Sequence, residues 1–93
     1  MLSKIPFEAK SLNKEELDKE ILRIGIIAEL DAINLYEQLA AMTENPLLKK
    51  ILLDIALEEK VHVGEFQELL LRIDKEQELS LEKGREEVSE MGR

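Results

Sequence analysis

Apolar residues recur along most of the chain at the three- and four-residue intervals that align on one side of an α-helix. From Leu17 they fall at Ile21, Ile24, Ala28, Leu35, Leu39 and Met42, and Leu22, Ile26, Ile27, Leu30, Ile33 and Ala40 widen the stripe around the cylinder. Asn13 followed by Glu16 has the spacing of a capping box, in which each side chain satisfies the other residue's backbone N–H. A first helix is therefore predicted over residues 14–42. Met42-Thr43-Glu44-Asn45-Pro46 breaks the pattern, since Pro suits a first helical turn and Asn45 stands where an N-cap belongs. The second periodic stretch, through Leu48, Ile51, Leu52, Ile55, Leu57, Val61, Phe66, Leu69, Leu70 and Ile73, predicts a helix over 46–75.

Each helix has about 29 residues, roughly 44 Å at 1.5 Å per residue, and a turn of about three residues makes the two antiparallel neighbours. Residues 1–12, with Pro6 and no sustained periodicity, read as an irregular arm. Past the hairpin, Ser80 is a candidate cap for a short, weak helix over 81–91 that is rich in charge and interrupted by Gly84. The fold class is all-α: an antiparallel two-helix hairpin plus a short C-terminal helix, one domain over residues 1–93. One partner helix cannot cover so wide an apolar surface, and a chain this short buries only a modest share of its surface when it folds alone. A second copy of the hairpin answers both needs by completing a four-helix bundle.

Composition narrows the function. With 13 Lys and Arg against 21 Asp and Glu the formal charge is −8, a field that repels phosphate backbones and concentrates cations, so nucleic acid is not an expected partner. The chain has no Cys, which excludes disulfides and thiolate metal sites. The N-terminus lacks a continuous apolar segment and the longest apolar run, Ile24 to Ala28, stops at Glu29. Neither an export signal nor a membrane span is expected, and a cytoplasmic location follows.

Two carboxylates interrupt the apolar stripes. Glu29 is flanked at helical spacing by Gly25, Ile26, Ala32, Ile33 and Tyr36, and Glu59 by Ile55, Ala56, Val63 and Phe66. A carboxylate in such surroundings costs several kcal/mol to bury unless a cation, a proton or hydrogen bonds compensate it. Glu59 also begins Glu59-Lys60-Val61-His62, a Glu-x-x-His whose two ligands share one helix face. Measured from the turn, Glu29 lies about 15.5 residues back, and Glu59 and His62 about 14.5 and 17.5 forward. At 1.5 Å per residue their heights agree within about 3 Å. The three side chains can converge.

One Glu plus one Glu-x-x-His is half of the inventory of a carboxylate-bridged di-iron bundle. A twofold-related copy supplies the other half, four Glu and two His in all, so ligand counting and apolar patterning independently require the same homodimer with an iron pair between its subunits. Tyr36 and Asp31 are candidate supporting residues, Tyr36 as a hydrogen-bond donor to a ligand carboxylate. Asp31, Glu37, Asp54, Glu58, Glu65 and Glu68 are a candidate cation-attracting path, although a solvated acidic face explains them equally. Two other readings of the chain stay open: a metal-free oligomerisation module, and a dimer bridged by structural zinc or calcium without redox activity.

At Ala28-Glu29-Leu30-Asp31-Ala32-Ile33-Asn34-Leu35-Tyr36-Glu37 and Leu57-Glu58-Glu59-Lys60-Val61-His62 the chain resembles the encapsulated ferritins, relatives of ferritin and rubrerythrin. The resemblance spans roughly Leu17 to Ile73. It implies a ferritin-like bundle formed by dimerisation, ferroxidase activity with oxygen or peroxide as oxidant, and Glu29, Glu59 and His62 as iron ligands, with Tyr36 near the site. It also implies a ring of five dimers working inside an encapsulin shell that stores the oxidised iron. Some members carry further acidic residues beside the first-helix ligand for iron uptake; here Ala28 stands at one such position, leaving Asp31.

Overall fold

Local capping chemistry sets where the chain turns. In the computed structural model, which describes residues 13–93, α1 spans Lys14–Met42, α2 spans Pro46–Ile73 and α3 spans Lys75–Met91. The Asn13 side chain accepts a hydrogen bond from the Glu16 N–H at 2.8 Å, satisfying a donor that the first turn of α1 leaves free. At the hairpin turn Asn45 accepts from the N–H groups of Leu47 and Leu48, both at 3.0 Å, and Pro46 occupies a position that needs no N–H. The first helix and the start of the second therefore lie where the sequence predicts. The predicted arm over residues 1–12 lies outside the described residues.

The C-terminal third differs from expectation. α2 stops at Ile73, two residues early, and α3 starts at Lys75 rather than near Leu81. Ser80 and Gly84 both lie inside α3, and the cap is Asp74, whose side chain accepts from the Gln77 N–H at 3.0 Å. Glycine lowers helix propensity by about 1 kcal/mol but blocks nothing, so α3 passes through Gly84 unbroken. In its first turn Lys75 pairs with Glu78, whose hydrogen bond and charge raise the ammonium pKa above its ordinary value.

Packing is concentrated between α1 and α2. Ile33 and Ala40 of α1 and Ala56 and Leu70 of α2 are the buried apolar side chains among the described residues. Across the seam Lys60 Nζ lies 3.0 Å from Glu37 Oε2. At the far end Arg23 of α1 reaches Asp74 Oδ2 at 3.1 Å, tying the α2–α3 junction back to α1.

Many large apolar residues stay in solvent. On the flank of α1 opposite Glu37, Ile21 and Met42 are 51% and 77% exposed; the matching flank of α2 shows Ile51 and Leu69, 48% and 51% exposed. Leu69 follows His62 by seven residues and Ile51 precedes it by eleven, so both share its face. This open apolar flank runs beside the cluster described next. No helix among the described residues is long and apolar enough to cross a membrane.

Candidate metal centre

Glu29 reaches the α1–α2 seam because it lies on the α1 face that also carries Ile33, Ala40 and Tyr36. Glu59 and His62, one turn apart on α2, face it from the other side. His62 Nδ1 lies 3.4 Å from Glu29 Oε2 and 3.4 Å from Glu59 Oε2. One ligand atom from each of the three residues can be chosen so that all lie within 4.8 Å of one another. The carboxylate side chains are 19% and 20% exposed and the imidazole 45%.

Glu29 Oε2 is covered and has no hydrogen-bond partner. His62 Nδ1 is near enough to form an ion pair if the imidazole is protonated, yet no hydrogen bond joins them, so proximity alone does not satisfy the oxygen. With a neutral imidazole protonated on Nε2, two carboxylate oxygens and one nitrogen lone pair face one another with no proton between them. Such a set of electron-pair donors accepts a cation; oxygen and imidazole nitrogen suit Fe²⁺, Mn²⁺ or Zn²⁺.

The other sequence candidates are arranged less closely. Tyr36 is half-buried two turns after Glu29, but its hydroxyl does not bond the unpartnered Glu29 oxygen. Asp31 is half-buried and, two residues on, points to a different face of α1 from Glu29. Of the acidic set, Glu37 is paired with Lys60 and Glu68 with Arg72, while Asp54, Glu58 and Glu65 are exposed.

Two neighbours escape a motif search. A methyl group at Gly25 would lie 3.2 Å from Phe66 Cδ2 and Cε2 and 3.3 Å from Cζ, so the Phe66 ring of α2 fills the space that a side chain at Gly25 would take. The Arg23–Asp74 ion pair joins positions 51 residues apart. The signal for Asp74 was Asp-x-x-Gln before a charged periodic segment, a cap pattern like the one at Asn13.

The hairpin brings one Glu and a Glu-x-x-His together across its seam. The rubrerythrin family profile matches residues 20–91, and the chain belongs to that family of ferritin-like domains. Its fold is similar to that of the encapsulated ferritin domain from Pyrococcus furiosus, with a TM-score of 0.77 and 52% identity over 97% of this chain and 86% of that one. It is 61% identical over 82 residues to a ferritin-like–encapsulin shell fusion protein of Pyrococcus furiosus, covering 88% of this chain and 24% of the fusion. It is 43% identical over 68 residues to the encapsulin nanocompartment cargo protein EncC of Myxococcus xanthus, covering 73% of this chain and 52% of the cargo protein. The chain thus spans about a quarter of the first relative and half of the second.

Proposed function

We propose that the chain is a ferroxidase: two copies bind two Fe²⁺ between them, oxidise them to Fe³⁺, and serve iron storage within an encapsulin shell. The carrying observation is the covered, unpartnered Glu29 Oε2 aimed at Glu59 and His62. One hairpin offers three ligands, too few for two irons with open positions for an oxidant. The exposed apolar flank beside His62 supports a twofold partner, which brings the ligands to four carboxylates and two imidazoles and covers Ile21, Met42, Ile51 and Leu69.

The residues then have distinct tasks. Four carboxylates offset the charge of two Fe²⁺, so the ferrous pair can enter a water-poor seam at little electrostatic cost. His62 supplies a neutral donor that leaves this balance unchanged. Oxidation releases one electron per iron; O₂ takes two electrons and two protons to give hydrogen peroxide, or peroxide takes the same to give water. Each Fe³⁺ adds a positive charge that the four carboxylates no longer match, which favours hydroxide as a further ligand or release of product. The shell assignment is supported by the kinship with a shell fusion and a shell cargo protein. The resemblance noted above further supports a ring of five dimers and Tyr36 as a supporting residue; Asp31, on a different face of α1 from Glu29, stays a candidate from its position alone.

Anaerobic Fe²⁺ titration followed by native mass spectrometry tests the proposal. Saturation near one iron per chain, with dimerisation and a rapid rise in ferric absorbance when oxygen enters, is the expected result. Binding without oxidation would reduce the site to a structural ion, and no binding would leave an oligomerisation module.

A further inference from the structure

Gly25 precedes Glu29 by four residues on α1, and Phe66 follows His62 by four and Glu59 by seven on α2. Those spacings stack each of the two on the same face as its neighbour in the cluster, one turn away. The Phe66 ring lies against bare backbone there, at distances from a Gly25 methyl position shorter than the roughly 3.5–4.0 Å of ordinary carbon contact. The conformation does not call for glycine, because no glycine among the described residues has positive φ. Gly64 and Gly84 would meet nothing within 4 Å, so close approach distinguishes Gly25 from both. A glycine weakens a helix interior by about 1 kcal/mol, so helix propensity gives no reason for a glycine at this position.

We infer that Gly25 and Phe66 form a spacer that fixes the α1–α2 separation at the level of the cluster, and through it the affinity for a divalent cation. Glu29 stands on one wall of that gap and Glu59 and His62 on the other, so a wider gap separates donor atoms that now lie 3.4 Å apart. The two are positioning residues and touch no ion. The inference rests on the metal-binding reading above.

Three variants decide it: Gly25→Ala, Phe66→Leu, and the two combined. Each is compared with wild-type protein by Co²⁺ titration, read in visible absorbance, and by a metal-free crystal structure. Gly25→Ala should keep its helix content, widen the Glu29–His62 separation and weaken Co²⁺ binding roughly 10-fold, the lower end for residues that orient metal ligands. Adding Phe66→Leu, which removes the ring carbons the new methyl would meet, should restore most of the affinity. Unchanged separation and affinity in Gly25→Ala would overturn the inference, as would a loss that the double variant fails to restore. Should Gly25→Ala not fold, Phe66→Leu alone probes the gap, and wild-type affinity with unchanged spacing would count against the spacer. Wild-type protein that takes up no Co²⁺ overturns the metal reading and the affinity half of the inference, while the crystal separations still judge the spacer.

Discussion

Asp74 and Glu29 are both carboxylates set between helices, and they are completed in opposite ways. Asp74, 7% exposed, uses both oxygens: Oδ2 accepts from Arg23 at 3.1 Å and Oδ1 from the Gln77 N–H at 3.0 Å. Glu29 has a covered Oε2 with no donor, and it faces another carboxylate and an imidazole. The chain therefore supplies a permanent cation where a carboxylate joins α1 to the α2–α3 junction, and at the middle of the hairpin offers only His62, a cation when its imidazole is protonated. A covered charge without a counterion is costly, so the second arrangement is economical only if something positive arrives from outside. The contrast separates a carboxylate that the chain completes from one that it leaves open.

The largest effect should come from breaking the unfinished site. Glu29→Ala or His62→Ala should abolish rapid Fe²⁺ oxidation, followed by stopped-flow absorbance, while circular dichroism stays close to wild type; normal oxidation in both variants would remove the proposed centre. Next in size is the gain from supplying the missing cation. At a metal concentration about a hundred times Kd the bound state gains about 2.7 kcal/mol, and at about 4–8 °C per kcal/mol for a domain of this size the melting temperature should rise by more than about 10 °C. A Glu29→Gln protein should show little of that rise.

A smaller effect with a diagnostic sign comes from the two carboxylates in metal-free protein. Asp74→Ala removes a cap and one partner of a half-exposed Arg23, and should cost about 1–2 kcal/mol in chemical denaturation. Glu29→Gln removes an uncompensated charge and should leave stability unchanged or higher. If both substitutions destabilise equally, the distinction between the two sites fails. The smallest effect belongs to Lys60→Ala. Its ion pair with Glu37 joins side chains 53% and 45% exposed, so less than about 1 kcal/mol should be lost, and less still at high salt.

Much of the hairpin and its cluster could be read from the residues because their causes are local. The Asn13 and Asn45-Pro46 caps act within one helical turn, so α1 and the start of α2 were legible to the residue. Glu29 and Glu59 stood out because a carboxylate among Ile, Ala, Val and Phe at helical spacing contradicts its surroundings. His62 joined them through the three-residue step of a helix, and Glu29 through equal height above a short turn. The C-terminal third was misread because Asp74 ends α2 without the Pro or Gly that usually marks a break. The junction's cap is local, Asp74 on the Gln77 N–H, while the Arg23–Asp74 pair joins positions 51 residues apart that no window of sequence contains.

What the sequence determined by itself, then, was periodicity, capping and the level at which three donor side chains meet, all consequences of the fixed rise and turn of a helix. Tertiary structure alone decided that the Glu29 oxygen is covered and unbonded, that Phe66 lies against a missing side chain at Gly25, and that Arg23 pairs with Asp74. These depend on the distance between two helix surfaces and on contacts between distant positions, which packing sets and the order of residues along one helix does not.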